Sequence, residues 1–167
     1  MTELLELIYE YRLLRAKEEH LQIALEEEER ARIRGIESLL MGETRRASAR
    51  ADSRRAMPRL LFPRAIQFTM PGSFGAGEIA NLSGGGAAIT TNEVLRKGDR
   101  TILRVAVPET GMEYVFPCTV VWTSGSAEAN VGIAFTGVPS QTQIARRPSQ
   151  TFRRPTLCPP TRRPLAA

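Results

Sequence analysis

The sequence predicts a mainly β protein, an antiparallel barrel of six strands preceded by a long α-helix. Glycine (13) and proline (11) are frequent among the 167 residues, which favours turn-rich β structure. Between residues 60 and 138, short apolar runs alternate with glycine-containing turns at regular spacing. Residues 3–41, by contrast, contain no proline and a single glycine. This segment is therefore the long stretch that suits a helix.

The expected helix carries a narrow apolar stripe. Apolar side chains recur in steps of three and four at Leu4, Leu7, Tyr11, Leu14, Leu21 and Leu25, with Glu18 as the one interruption. Such a stripe is typical of a coiled-coil seam, and its phase slips through residues 26–29 as a four-residue insertion would cause. Because an isolated helix of this kind is marginal in water, residues 3–41 are predicted to form a homo-oligomer. The alternative is that the helix folds back onto its own barrel.

Six strands are expected in the region that follows the helix. Their cores are residues 65–69, 77–82, 87–91, 101–107, 113–123 and 129–135. Closing these strands into a barrel would remove exposed strand edges. The predicted organisation is a coiled-coil helix over 1–42, a basic linker over 43–59, a barrel over 60–146 that ends in a helical turn at 140–146, and a disordered Arg- and Pro-rich tail over 147–167.

Charge is distributed unevenly along the chain. Residues 1–42 hold ten acids and six bases, a net charge of −4. The remainder holds eight acids and 17 bases, a net charge of +9, and the two parts sum to the formal charge of +5. An anionic partner is therefore expected to bind C-terminal to residue 42.

Several functional classes are disfavoured by the composition. His20 is the only histidine, so a Ser-His-Asp or Cys-His set with a nearby base is not expected. Cys118 and Cys158 have no metal-ligating cluster around them. We expect neither enzymatic activity nor a metal nor a cofactor. No run approaches the roughly 18 apolar residues of a membrane span and the N-terminus is acidic, so the protein is predicted to be cytoplasmic.

Two short polar patterns accompany the first strands. Residues 54–59 read Arg-Arg-Ala-Met-Pro-Arg and contain an Arg-x-x-x-Arg pair immediately before the first strand. Residues 81–86 read Asn-Leu-Ser-Gly-Gly-Gly and lie between the second and third strands. Each pattern alone is weak, because arginine pairs are common in this chain and Asn-x-Ser-x-x-Gly is also an ordinary turn. Their order and spacing make the combination specific.

Together with the strand layout, these patterns resemble the PilZ family of cyclic di-GMP receptors. The family signature is RxxxR on a segment entering the barrel, followed about twenty residues later by (D/N)xSxxG on a strand-ending turn. The matching residues are Arg55, Arg59, Asn81, Ser83 and Gly86, with Arg54 as a further candidate. The resemblance covers residues 54–138. It implies a PilZ-type barrel that binds cyclic di-GMP, a bacterial second messenger, through these residues.

The chemistry of these side chains suits such a ligand. Arginine can bond bidentately to phosphate or to the O6/N7 edge of guanine, and it stacks on bases. Asn81 offers a donor and an acceptor to a guanine edge, and Ser83 offers a hydroxyl. Gly86 would permit a close backbone approach or a positive φ.

The functional hypothesis is a sensor and adaptor in signal transduction. Cyclic di-GMP would order the basic linker and change the arrangement of helix and barrel, which an unidentified protein partner would read. One alternative is a ligand-independent coiled-coil scaffold with a PilZ-like barrel. A less favoured one is nucleic-acid binding through the Arg-Arg-Pro units at 146–148, 153–155 and 162–164, which salt would weaken steeply. The barrel lacks the interleaved aromatic residues of single-strand binders.

Overall fold

The fold is that of a computed structural model, which describes residues 2–47, 58–70, 72–125 and 129–144. Two helices precede seven strands. In chain order the elements are α1 Thr2–Glu19, α2 Glu27–Ala47, β1 Leu60–Met70, β2 Ser73–Ser83, β3 Gly86–Thr91, β4 Arg100–Val107, β5 Met112–Ser124, β6 Ala129–Phe135 and β7 Ser140–Gln143.

Six of these strands close into an antiparallel barrel, which confirms the expected fold class. The strand order is β4-β1-β2-β3-β6-β5, and β5 pairs with β4 to complete the circle. The β4–β5 ladder runs the full length of β4, from Arg100↔Thr119 to Val107↔Met112. The β1–β4 seam contains only two paired positions. Closure leaves few free edges among the barrel strands, as the sequence argument anticipated.

Alternation along the strands fills the barrel interior. In β4 every second residue is buried, from Thr101 to Val107, as period-two side-chain geometry requires. The inward side chains form one apolar cluster that includes Phe62, Phe68, Ile79, Leu82, Ile89, Leu103, Phe116, Val120, Val131 and Ile133. Fully burying a side chain of this size contributes about 1.5–3 kcal/mol, so this cluster is the main source of barrel stability.

The N-terminal segment forms two helices, whereas a single helix was expected over residues 3–41. α1 ends before Gln22, which adopts a φ of 54°. α2 begins at a cap in which the backbone N–H of Glu26 donates to the carboxylate of Glu29 at 2.9 Å. Carboxylates favour this position because they satisfy free amides and complement the helix dipole. The phase slip in the apolar stripe is therefore a helix break and not a coiled-coil insertion.

Ion pairs hold the two helices side by side as a helical hairpin. The interhelical pairs are Lys17–Glu29 at 2.7 Å, Arg32–Glu10 at 2.6 Å and Arg15–Glu37 at 3.0 Å. Because these groups are partly solvated, they orient the helices more than they stabilise them. Neither helix in the described ranges is long and apolar enough to cross a bilayer.

The helical hairpin packs on the barrel, which is the alternative that the sequence left open. Leu5, Ile8 and Tyr11 of α1 are buried in the same apolar cluster as the barrel core. The ring of Tyr9 packs edge-on against that of Tyr114, with centroids 5.4 Å apart. Because Tyr114 is buried within the barrel wall, α1 covers one end of the barrel. Part of the apolar stripe expected to mediate oligomerisation is thus used within the chain.

Residues 140–143 form strand β7, where a helical turn over 140–146 was predicted. β7 lies outside the closed circle and pairs with residues 112–115 of β5. β6 pairs only with residues 118–124 of the same strand, so the first part of β5 has a vacant edge. Backbone groups on a vacant edge favour an added strand over a helical turn.

The predicted linker also begins later than expected. α2 continues to Ala47, five residues into the segment 43–59, and β1 begins at Leu60. Residues 48–57 and the predicted tail at 147–167 lie outside the described residues, so the expectations for both segments stay predictions.

Cys118 is predicted to resist alkylation in the folded protein. It is 2% exposed, and its S–H donates to the carbonyl of Phe116 at 3.1 Å. Burial raises the pKa of Cys118 to about 12, so the thiolate fraction at neutral pH falls about a thousandfold. Iodoacetamide, followed by mass spectrometry of each cysteine, should label Cys118 only in guanidinium. Equal labelling rates in folded and unfolded protein would contradict the buried position.

Candidate functional site

Arg59, which ends the first motif, lies at the same end of the barrel as the Asn81–Gly86 motif. β1 begins there and β2 ends there, with Leu61 paired to Asn81. The same antiparallel register places Arg59, immediately before β1, beside Ser83. This end of the barrel is also the one that α1 covers, because Arg12 of α1 donates to the carbonyl of Phe135 at the end of β6.

A depression on the outer surface of the barrel joins the two motifs. Its volume is about 180 Å³. The lining residues are Arg59, Ser83, Gly85, Gly86, Ala87, Val121, Trp122, Gly132, Ile133 and Ala134. The Arg59 side chain is exposed, so its guanidinium stands at the rim, accessible to a ligand in the depression. The sequence-predicted residues Arg59, Ser83 and Gly86 are thus brought together.

Small residues form the floor of this depression. Across the β3–β6 ladder, Gly86 pairs with Ala134, and both residues line the depression. Neither carries an outward side chain larger than a methyl group. Gly132 also lines the depression, and the indole of Trp122 lies against it. The small residues therefore leave room for a planar ring beside the indole.

Gly86 is required by the barrel itself. A Cβ added at this position would overlap the carbonyl oxygen of Ile133 on β6. The φ of Gly86 is not positive, so of the two expectations for this glycine, close backbone approach is the one that applies. The approaching backbone is that of the neighbouring strand.

Ser83 closes the turn between β2 and β3. Its hydroxyl donates to the carbonyl of Gly86 at 3.0 Å. In this state the oxygen still offers lone pairs to a donor, and rotation of the hydroxyl is needed before it can donate to a phosphate. Ser83 therefore has a structural role that precedes any ligand contact.

Asn81 lies beside the depression and does not line it. It is half-buried on the same outward side of β2 as Ser83. The strand register shifts just before Asn81 on the β3 side, and on the β1 side the shift falls between Leu61 and Arg64. Pro63 lies within that second irregularity, as expected for a residue without a backbone donor.

Of the other arginines near the two motifs, the structure describes Arg64 but not Arg54 or Arg55. Arg54 and Arg55 lie outside the described residues, so their roles stay predictions. Arg64 on β1 pairs with Glu109 at 3.2 Å, and its side chain is 19% exposed. A ligand would have to compete with Glu109 for that guanidinium, whereas the Arg59 side chain is exposed.

Trp122 is a wall of the depression and was not among the site residues expected from the sequence. The β5–β6 register shifts between Val120 and Trp122, and Trp122 is half-buried. A Cβ added at Gly132 would overlap the indole, so the ring lies against that glycine. Bulges commonly re-aim side chains in this way. The only sequence signal was an aromatic residue after an apolar run, with a glycine on the next strand.

A larger depression, of about 730 Å³, lies over β4 and β5. It is lined by Thr69, Arg100, Thr101, Ile102, Pro117, Cys118, Thr119 and Thr136. It contains none of the motif residues, so the smaller depression is the better candidate. Across the described ranges, no group of three or more His, Cys, Asp or Glu side chains could hold a metal ion.

Comparison with known proteins gives a family match and two similar folds. Residues 46–147 match the family model described as PilZ domain. The structure of Bacillus subtilis inhibitor of motility (MotI/DgrA) is similar, with 18% identity and a TM-score of 0.44 over 50% of this chain and 43% of that one. The crystal structure of the PilZ domain of CeSA from a cellulose-synthesizing bacterium is also similar, with 18% identity and a TM-score of 0.39 over 47% of this chain and 81% of that one. The chain spans less than half the length of the first. No curated protein matches the sequence.

Proposed function

Because the chain belongs to the PilZ domain family, we propose that it binds cyclic di-GMP and acts as a sensor and adaptor in signal transduction. PilZ domains are known as receptors for this nucleotide, and they are binding or adaptor domains rather than catalysts. The observation that carries the proposal is the position of Arg59, exposed at the rim of the depression that Ser83 and Gly86 line.

The size of the depression indicates which part of the ligand it receives. At about 180 Å³ it is below the roughly 300–1,000 Å³ typical of sites that enclose a whole drug-sized molecule. We propose that one guanine lies on the floor of small residues and packs against Trp122. Stacking of a base on an aromatic side chain contributes about 1–3 kcal/mol.

The phosphates and the second guanine would then meet the polar groups around the depression. Arg59 is placed to bind a phosphate or the O6/N7 edge of guanine, and the Ser83 hydroxyl can rotate toward the same ligand. Asn81, next to the depression, would contact a guanine edge. Arg55 and Arg54 would close over the ligand from the segment that connects α2 to β1.

We further propose that ligand binding changes how the helical hairpin packs on the barrel. The arginine segment leads from α2 into β1, so a ligand that binds its arginines restrains the connection between the helical hairpin and the barrel. A protein partner would read the altered surface. Self-association would use the exposed apolar side chains of the hairpin, which include Leu13, Leu39 and Met41 at 39%, 55% and 45% exposure.

Arg59→Ala is expected to weaken cyclic di-GMP binding about tenfold, because a charge-assisted hydrogen bond contributes on the order of 1.5–3 kcal/mol. Isothermal titration calorimetry on the full chain measures the loss. Arg100→Ala is the matched control, since Arg100 is an exposed arginine of β4 that does not line the depression. Absence of heat with the wild type, or equal affinity of Arg59→Ala and the wild type, would sink the proposal.

A ligand-independent scaffold is the second candidate, and the exposed Leu39 and Met41 of α2 favour it. Large apolar side chains that are exposed on a helix suit a protein contact. In that case Arg59→Ala would fully complement a strain lacking the protein, whereas Leu39→Glu would not. The receptor hypothesis requires that Arg59→Ala fail to complement.

A further inference from the structure

Arg12 of α1 is a buried cation outside the candidate ligand site. It is 7% exposed. Its Nη2 donates to the carbonyl of Phe135 at 3.4 Å and lies 3.6 Å from the carboxylate of Glu19. Within the described part of the chain, Nε has no hydrogen-bond partner. A buried guanidinium with so few hydrogen-bond partners lowers the stability of the fold. Its presence therefore indicates a role besides stability.

The carbonyl that Arg12 contacts lies where the β3–β6 ladder ends. Gly86 pairs with Ala134 in the last register position, and the next bond runs from the Phe135 N–H to the carbonyl of Gly85 at 3.0 Å. Gly85 is already in the turn, where the chain of β3 leaves the ladder. The guanidinium of Arg12 contacts the carbonyl of this same residue, Phe135, where the β3–β6 ladder ends.

Phe135 therefore connects α1 to the Ser83–Gly86 corner. Its N–H bonds to Gly85 in the corner, and its carbonyl accepts from Arg12. An apolar path runs alongside, because the Phe135 ring stacks on Phe116 at 4.7 Å and Tyr9 of α1 packs against Phe116 at 6.4 Å. A displacement of the corner thus moves the acceptor of the Arg12 hydrogen bond.

We propose that Arg12 is a positioning residue that couples the packing of α1 to the conformation of the Ser83–Gly86 corner, so that cyclic di-GMP bound at the corner tightens α1 on the barrel. The effect of cyclic di-GMP on α1 rests on the proposed function, whereas the link between Arg12 and the Ser83–Gly86 corner does not. A ligand that holds the corner in one conformation also holds the Phe135 carbonyl in place. This favours the 3.4 Å hydrogen bond that Arg12 donates to that carbonyl. Coupling is reciprocal, so packing of α1 raises ligand affinity by the same factor.

The ligand arm of the test is hydrogen–deuterium exchange of α1 in the full chain, with and without cyclic di-GMP. Ligand is expected to slow α1 exchange about threefold in the wild type and to have no effect on it in Arg12→Met, which still binds with about threefold lower affinity. Methionine keeps the apolar stem of arginine and removes the guanidinium. Arg34→Met is the control, because Arg34 pairs with Glu27 within α2 and should respond like the wild type. Equal ligand-induced slowing in Arg12→Met and the wild type overturns the proposal.

A ligand-free arm separates this coupling from the proposed function. Ser83→Ala removes the hydrogen bond to the Gly86 carbonyl and loosens the corner. We expect α1 exchange to rise about twofold in an otherwise wild-type chain and to stay unchanged when Arg12→Met is also present. If Ser83→Ala leaves α1 exchange unchanged in both backgrounds, the coupling is overturned, even if the nucleotide binds. If the wild type does not bind the nucleotide, but Ser83→Ala alone still raises α1 exchange, the coupling is supported and the proposed ligand is overturned. If Arg12→Met does not fold, Arg12→Lys replaces it, since a lysine cannot present a planar fork to Phe135 and Glu19.

Discussion

Gly86→Ala is expected to lower the free energy of unfolding by about 3 kcal/mol, the upper part of the range for an overpacked site. The added Cβ would overlap the carbonyl oxygen of Ile133. Both groups belong to backbone in the β3–β6 ladder, where Gly86 pairs with Ala134. Relief of the overlap therefore requires the two strands to separate. Urea unfolding followed by circular dichroism measures the loss as a lower midpoint.

Gly85→Ala supplies the matched control on the same turn. A Cβ added at Gly85 meets no atom within 4 Å, and Gly85 is exposed. Its effect on the free energy of unfolding should stay within about 0.5 kcal/mol. If both variants unfold at the same urea concentration, strand approach is not the reason for glycine at position 86, and contact with the ligand becomes the explanation for it.

The structure explains part of the Asn-x-Ser-x-x-Gly motif without any ligand. Gly86 is fixed by the neighbouring strand, and the Ser83 hydroxyl closes the turn. These two residues would be favoured even in a barrel that binds nothing. The argument for cyclic di-GMP therefore depends more on Arg59 and Asn81, whose side chains have no such internal explanation in the contacts described above. Substitutions at these two positions are the informative ones for ligand binding.

The barrel could be predicted well from the sequence because strand periodicity is local. Residues 129–135 form β6 as expected, and the run 101–107 differs from β4 by one residue. Apolar and polar side chains alternate there, and turn residues mark the ends. The helix break at residues 20–26 could not be found in this way. Four consecutive glutamates suit a helix surface and a helix start equally well, and only packing against α1 decides between them.

The candidate site was predictable only where it lies on a motif. Arg59, Ser83 and Gly86 were found because their spacing is characteristic. Trp122 depends on a register shift in β5. Arg12, which lies outside the site, depends in the same way on how α1 packs against the end of β6. Neither a bulge nor a helix–barrel contact leaves a local pattern, so both residues needed the three-dimensional structure.

Gly132→Ala is expected to displace Trp122 and to weaken cyclic di-GMP binding about tenfold. The added Cβ would overlap the indole, and a side chain can rotate away where a backbone carbonyl cannot. The loss of unfolding free energy should therefore be about 2 kcal/mol, smaller than for Gly86→Ala. The floor and the wall proposed to hold guanine both change, and the loss of stacking, about 1–3 kcal/mol per base, accounts for the weaker binding.

Fluorescence reports this displacement directly, because Trp122 is the only tryptophan in the chain. In Gly132→Ala we expect the emission maximum to move to longer wavelength as the indole leaves the barrel surface for water. Gly85→Ala should keep the wild-type spectrum, since its added Cβ lies in open space. A wild-type spectrum in Gly132→Ala would mean that the indole does not lie on Gly132. A shifted spectrum with unchanged affinity would instead mean that Trp122 has no part in holding the nucleotide, and guanine would then have to stack on the arginine planes of residues 54–59.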